Sequence, residues 1–420
     1  LTVYIVLLLA IPSRLVFGPL GSAGAPSQLF ALVSLLWWGW YRISRWDGLT
    51  FEPRPVRTAM GAFAVCIGVS YVAAMLRPIE TDEVSTADAA LIGALAWLGT
   101  LLVAHDGIPS RDRFDLLVRR LAMGGGVLAV VGIAQFVTGQ TLVDAVSVPG
   151  LTSNQQGFDF ERSGFTRPSG TATHPIEFGV VLTMFLPFAL HSAFHGRPGS
   201  IVARWLPIAA IGLIIPLSLS RSAVVGTIVC LLVLLPTWPR ARRRAVLAAT
   251  AGLMTVLFVA VPGILGSVTS MFVGIEHDPS ARSRTDSYGL ALEFISDAPI
   301  FGRGLGTFLP KYWILDNQLL LLAITVGLVG LGAFLALIAV ALLGLVRLRR
   351  AADDAPTRDI AQTLIASIVA GTVSLAFFDG FAFPMTAGTL FLLIGMAGAL
   401  TRLLGERGPA ASSGPPTDGA

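Results

Sequence analysis

A few side chains in this sequence are of types that grip phosphate oxygens or move protons, and they stand where apolar segments begin or end: Arg167, His174, Glu177, Arg221, Arg284 and Asp316. Three of them share the stretch GFTRPSGTATHPIEFG, residues 164–179, where a polar loop runs into a long apolar run. A guanidinium offers a planar fork of donors that matches two oxygens of a phosphate at once, which the point charge of lysine does not. A carboxylate or imidazole can take a proton from a hydroxyl as that hydroxyl attacks; Asp316, His174 and Glu177 are the first candidates, with Asp159, Glu161 and His277 behind them. Glu177 follows His174 by three residues, so the two share a helix face, and Glu177 could pair with Arg167 or hold His174 in one tautomer. Each has a plainer reading. Arginines at helix ends snorkel to headgroups, a His-Pro pair can simply end a loop, and Asp316 at the start of an apolar run can cap a helix.

The elements that must position these residues are membrane helices. Of 420 residues, 54% are hydrophobic and 13% charged, and the mean hydropathy is +0.76, which excludes an ordinary soluble domain and fits an all-α polytopic membrane protein. A helix needs about 20 apolar residues to cross a bilayer, and on that scale about 12 transmembrane helices are expected. The candidates run roughly 1–20, 26–42, 58–76, 87–104, 116–137, 174–194, 204–219, 221–238, 245–263, 316–346, 360–378 and 383–403. The first is interrupted by Pro12 and Arg14 and is read as a span, not a cleaved signal peptide. This divides the chain into N-terminal membrane helices (1–137), an extracytoplasmic loop (138–173), central helices (174–263), a larger extracytoplasmic loop (264–315), C-terminal helices (316–403) and a Gly/Pro/Ser-rich tail (404–420) expected to be disordered. Cys66 and Cys230 lie in apolar runs and build neither a disulfide framework nor a metal motif.

Charge sets the orientation. With both termini cytoplasmic, every inner loop is basic: Arg42, Arg45, Arg54 and Arg57, then Arg111, Arg113, Arg119 and Arg120, then Arg197 and Arg204. The pattern continues with Arg240, Arg242, Arg243 and Arg244, with Arg347, Arg349, Arg350 and Arg358, and with Arg402 and Arg407. The net charge of +4 therefore speaks of loops facing an anionic leaflet, not of nucleic acid. The exceptions gather in the two long outer loops: Arg162, Arg167, Arg282, Arg284, Arg303 and Lys311, with Arg221 between them and Arg14 and Arg77 elsewhere. Positive charge on the disfavoured side calls for a reason, and a ligand is the expected one. In RSRTDSYGLALEFISDAP the residues Tyr288, Ala291, Leu292 and Ile295 recur at helical spacing, which predicts a short amphipathic helix on the outer membrane surface with Arg284 on its face. Arg167, Arg221 and Arg284 at headgroup level would suit a lipid diphosphate. Gly302, Gly304 and Gly306 in PIFGRGLGTF lack the strand and lysine of a nucleotide loop and read equally as a tight turn.

Four stretches in order, RPSGTATHPIEFG, SRSA, SRTDSYGLALEFISDAPIFGRGLGTF and DNQLLLLAITVGLVG, resemble the O-antigen ligase and O-antigen polymerase superfamily over roughly residues 160–332. The resemblance implies a GT-C-like membrane glycosyltransferase at the outer face of the cytoplasmic membrane. Its donor would be a polyprenyl-diphosphate-linked glycan, with no cofactor and no metal, and other polysaccharide-assembly proteins could be partners. It also implies that Arg167, Arg221 and Arg284 bind the diphosphate and that Asp316 stands where the ligases carry a histidine base. Thr325 stands where many members have an acidic residue. Loss of the ligase histidine tilts the expectation from ligase towards polymerase. A transporter is the rival from another class, but its two matching halves and mid-membrane site are not visible here; a non-catalytic assembly partner is the third reading.

Overall fold

Proline sets where several of the helices begin. It lacks the backbone donor that a first turn leaves unused, and its φ is already helical; accordingly Pro26, Pro55, Pro175 and Pro384 each occupy the first helical position. The computed structural model describes residues 1–45, 54–154, 160–162, 164–196, 200–270 and 279–405, without the side chains at 144, 162 and 279–287. In chain order the helices are α1 (Thr2–Ala10), α2 (Pro26–Ser44), α3 (Pro55–Met75), α4 (Thr81–Gly107), α5 (Arg111–Thr138), α6 (Pro175–His195), α7 (Ile201–Leu217) and α8 (Arg221–Leu234). They continue with α9 (Arg240–Ala260), α10 (Ile264–Ser270), α11 (Pro279–Asp297), α12 (Gln318–Thr325), α13 (Gly327–Ala351), α14 (Ala355–Ser374) and α15 (Pro384–Gly405). Short 3-10 turns, among them Gly18–Gly24, and four two-residue strands accompany them: β1 (Leu15–Val16) pairs antiparallel with β2 (Thr152–Ser153), and β3 (Glu161–Arg162) with β4 (Phe165–Thr166).

The chain is thus a mostly helical membrane protein. Among the described residues seven helices are long and apolar enough to cross a bilayer, or eight if the bent pair Gly18–Gly24 and Pro26–Ser44 forms one span. The expected spans all overlap helices, but length and composition do not carry the count to 12. The segment 1–20 is the clearest departure: α1 has nine residues and stops where Ile11 turns extended before Pro12, as the residue ahead of a proline must. The expected long run 316–346 is broken into α12 and α13 at Val326.

Burial shows which helices are central. In α6 89% of the apolar window is buried and in α15 78%, whereas in α9 only 6% is. With no hydrophobic drive between helices in lipid, close approach depends on small residues. At Gly179 of α6 an added Cβ would lie 2.5 Å from the Ala223 methyl of α8, so the glycine lets that small side chain sit directly on the α6 backbone. A break in the other half is held the same way. The turn at Gly302 lies so close to Thr325 that an added Cβ would sit 2.4 Å from its carbonyl carbon, and Gly327 has φ +71. The amides of Arg303 and Gly304 donate to the carbonyls of Ile324 and Thr325 at 3.0 and 2.8 Å, and Ser70 Oγ donates to the Thr325 carbonyl at 2.7 Å. The glycines of PIFGRGLGTF therefore dock a turn onto the α12–α13 break.

Candidate functional site

The stretch before α6 is built by backbone bonds to distant side chains. Gln135 of α5 accepts from the amides of Ser169 and Gly170 at 3.1 and 2.7 Å and donates to the Gly170 carbonyl at 3.0 Å. Thr171 donates its hydroxyl to the Leu9 carbonyl at 2.6 Å, and its own carbonyl accepts from Ser13 N at 2.8 Å. The short α1 thus serves as a brace for this loop. Arg167 is half-buried and donates from Nε to the Ser218 carbonyl at 3.0 Å. Ser218 lies in the turn between α7 and α8, where Leu219 takes φ 47 while fully buried and Ser220 caps α8. A positive φ on a branched, non-glycine residue is costly and persists only where its surroundings enforce it. That turn carries Arg221 as the first residue of α8, three positions after the carbonyl that Arg167 holds.

His174 is the N-cap of α6: its Nδ1 accepts from the Ile176 amide at 3.0 Å. An acceptor at Nδ1 places the ring proton on Nε2 in the neutral imidazole. Burial, helped by the Arg167 charge, pushes its pKa down to about 4, so the ring is neutral near pH 7. Phe160 meets it edge-on at 4.5 Å, and Phe383 approaches to 6.2 Å. As held, His174 offers a hydrogen-bond donor and is a poor base.

Glu177 is fully buried and pairs with neither Arg167 nor His174 in the bonds it shows. One carboxylate oxygen accepts from the Thr173 amide at 2.7 Å and the other from the Met385 amide at 2.7 Å. It ties the start of α6 to the start of α15 through the orphan amides of both helix N-termini.

Asp316 precedes α12, and the cap of that helix is its neighbour: Asn317 Oδ1 accepts from the amides of Leu319 and Leu320 at 3.0 and 3.1 Å. Capping therefore does not account for Asp316. The next residue, Gln318, takes hold of the turn between α14 and α15, donating from its amide to the carbonyls of Leu375 and Phe378 at 2.8 and 3.1 Å and accepting from Phe381 N at 2.8 Å. This turn carries Asp379 into the neighbourhood of Asp316. Burial first, and the Asp316 charge beside it, push the Asp379 carboxyl up to about 7. The sequence reading passed over Asp379; its only signal was an Asp-Gly pair between two apolar runs, a common turn signature.

Structure and sequence agree unevenly over the remaining candidates. Arg284 lies within α11, among residues whose side chains are not described. Ala291, Phe294 and Ile295 of α11 pack against Phe308, Leu315 and Leu320, while Tyr288 and Leu292 are exposed. Glu161 is exposed in the β3–β4 hairpin, and Asp159 and His277 lie outside the described residues. Nor do all the outer-loop cations await a ligand. Arg77 and Arg303 reach buried Glu83 at 3.1 and 3.6 Å, Tyr312 donates to Glu83 at 2.8 Å, and Lys311 bridges Glu80 and Asp82 at 2.5 and 2.7 Å. Arg14 donates to the Val143 carbonyl at 2.7 Å. These contacts lace the glycine turn and the 138–173 loop to their neighbours.

Several apolar helices long enough to span a bilayer define a multi-pass membrane protein, with Arg167 on the α7–α8 turn and Asp316 beside Asp379 in turns at helix starts. Residues 206–335 match the family model described as O-antigen ligase, a stretch running from within α7 into α13. Over that stretch, about a third of the chain, the protein is similar to the O-antigen ligase and polymerase superfamily. No curated protein matches the chain. One solved chain, from work titled "Structural coordination of polymerization and crosslinking by a peptidoglycan synthase complex", is 14% identical with a TM-score of 0.44, covering 86% of this chain and all of that one; likeness at that level carries no argument here.

Proposed function

We propose that the protein is a glycosyltransferase that polymerises polyprenyl-diphosphate-linked glycan repeat units at the outer face of the cytoplasmic membrane, with both termini cytoplasmic. Two observations support this reading: Arg167 lies beside the neutral His174 ring and holds the turn that begins α8 at Arg221, and Asp316 lies beside Asp379 at the α14–α15 turn. The family match supports it.

The chemistry follows from the groups. The acceptor sugar's hydroxyl oxygen attacks the anomeric carbon of the donor glycan. The bond from that carbon to the diphosphate oxygen breaks, and the diphosphate leaves with the electron pair. Charge grows on the leaving oxygens, and fixed guanidinium groups in a partly dry site stabilise it without reorganising; Arg167 and Arg221 fill this role, with Arg284 third. His174, with its proton on Nε2, donates a hydrogen bond to the same oxygens. The hydroxyl's proton goes to the carboxylate pair. Asp316 is the acceptor first in line, and Asp379, with a pKa near the working pH, is matched to share it. Glu177 positions the site by holding α6 to α15.

A ligase differs from a polymerase only in the acceptor, and the description of the matched family keeps that second reading in place. One experiment covers both. Purified protein in nanodiscs receives polyprenyl-diphosphate repeat units, with or without a lipid-linked acceptor glycan, and product length is read on a gel. A ladder from repeat units alone is the expected result, shortened or lost in Arg167→Ala, Arg221→Ala and Arg284→Ala. A single-step shift that requires the added acceptor makes the enzyme a ligase. No product from the wild type, or unchanged product from all three variants, overturns glycosyl transfer.

A further inference from the structure

At the far end of α6 from His174, another convergence of side chains plays no part in that chemistry. His191 and His195 are one helical turn apart on α6, on the same face, and stack at 5.2 Å. Both present Nδ1 to one oxygen of Asp359 in the first turns of α14: His191 Nδ1 lies 2.7 Å and His195 Nδ1 3.3 Å from Oδ2. The three ligand atoms all lie within 4.8 Å of one another. The other carboxylate oxygen, Oδ1, is taken by Arg242 at 2.7 Å. Arg242 is itself fixed between the rings of Phe194 and Trp238, 3.8 and 4.1 Å from their centroids. The carboxylate is therefore held ionised and oriented by one oxygen while it offers the other to the imidazoles.

We propose that His191, His195 and Asp359 form a binding site for one divalent transition-metal ion of the zinc type. Two imidazoles and a carboxylate are the nitrogen and oxygen donors that such an ion takes, and a third-party hold on the ligating carboxylate is the usual supporting contact. The spacing fits. Ligands about 2.1 Å from a tetrahedral ion stand about 3.4 Å from each other. The His195–Asp359 separation of 3.3 Å already meets this, and His191 needs to withdraw only a fraction of an ångström. A polar cavity of about 250 Å³ lies against the histidines, lined by Arg111, Asp115, Ser192 and Pro356 besides, which gives a fourth ligand such as water its place and the ion a way in. The plain alternative is a closed network in which the histidines only hydrogen-bond Asp359; it explains the Arg242 contact, but it needs neither the second histidine at 3.3 Å nor the cavity. By helix rise alone His191 and His195 are about 26 and 32 Å from His174, so the ion touches no reacting atom. It would instead clamp α6 to α14, the two helices whose opposite ends lead to His174 and Asp379.

The test uses the full-length protein in nanodiscs, purified without a polyhistidine tag, freed of metal by chelator and titrated with Zn²⁺ alone. The expected result is one tightly bound Zn²⁺ per chain, a raised Tm, and affinity at least ten-fold weaker in His191→Gln, His195→Gln and Asp359→Asn. Co²⁺ bound to the wild-type protein should show the visible absorption of a tetrahedral nitrogen and oxygen site, a readout that needs no variant to fold. Absence of stoichiometric uptake by the wild type, or unchanged uptake in the His191→Gln/His195→Gln double variant, overturns the proposal. Binding is read here without any glycan, so failure of this site and failure of glycosyl transfer are separate results.

Discussion

Charge is handled differently at the basic helix ends and in the turns around His174. At the basic end, ions close on each other: Asp106 is met by Arg54 and Arg57 at 3.4 Å and by Trp38 at 2.9 Å, and Asp359 by Arg242 and His191 at 2.7 Å. Arg402 ties the end of α4 by donating to the His105 and Ile108 carbonyls. Around His174 and the α14–α15 turn neutral and acidic side chains are spent on backbone instead, while ion pairs at that end gather on Glu83 and Lys311 by the start of α4. Gln135 holds the Ser169–Gly170 turn, Asn317 caps α12, Gln318 grips the α14–α15 turn and Glu177 joins two helix starts. The difference teaches where chemistry can happen. Ions that satisfy one another fix helices, whereas a scaffold of amide-held turns can hold cations and carboxylates at set positions for a substrate.

That contrast can be broken most severely at Arg167. Arg167→Ala should lower glycan-product formation by about 10²–10³, the range for losing one preorganised group at a developing anion, with Arg167→Lys intermediate; the ladder on a gel measures it. Glu177→Ala comes next and acts on folding. Stranding two buried amides should cost on the order of 3 kcal/mol, seen as a Tm lowered by several degrees in nanodiscs, while Glu177→Gln, which keeps an acceptor oxygen, should lose less. An unchanged Tm in Glu177→Ala would show that the carboxylate has some other use.

Asp379 sharpens the comparison through pH. If the carboxylate pair takes the proton, activity should rise through about pH 7 as Asp379 ionises, and Asp379→Asn should lose that limb. His174, with its pKa near 4, is already neutral over that range and should leave the limb in place when replaced by Gln. Stability runs the other way for the aspartate. A pKa raised above its unfolded value near 4 gives a contribution that is full at acid pH and lost as pH climbs through 7. For His174 the folded pKa lies below the unfolded value of about 6.5, so its contribution is full above that pH and is lost as pH falls towards 4. The smallest effect belongs to Lys311, whose bridge to Glu80 and Asp82 is solvent-exposed. Lys311→Ala should leave product ladder and Tm unchanged, and a lost ladder would return this lysine to the substrate.

How much of this could be read beforehand depended on whether the signal was local. Apolar runs located the helices, because burial in lipid is written residue by residue. Pro12 was visible as an interruption, yet only the structure shows that it ends α1 and makes that helix a brace for Thr171. The long-range bonds were hidden: Glu177 and Met385 are 208 positions apart, and no spacing rule links them. Asp316 and Asn317 competed for one cap, and geometry gave it to asparagine. Asp379 was hidden by the opposite problem, since Asp-Gly between two helices is ordinary turn chemistry until a second carboxylate is placed beside it.

The claim at the centre is that the corner built by Arg167 and the α7–α8 turn holds a lipid diphosphate. Binding of a short-chain polyprenyl diphosphate alone, measured on wild-type protein and on Arg167→Ala in nanodiscs whose Tm values agree, tests it most directly. The account predicts saturable binding to the wild type and affinity at least ten-fold weaker in the variant. Equal affinity in the two, or no saturable binding to the wild type, would contradict it.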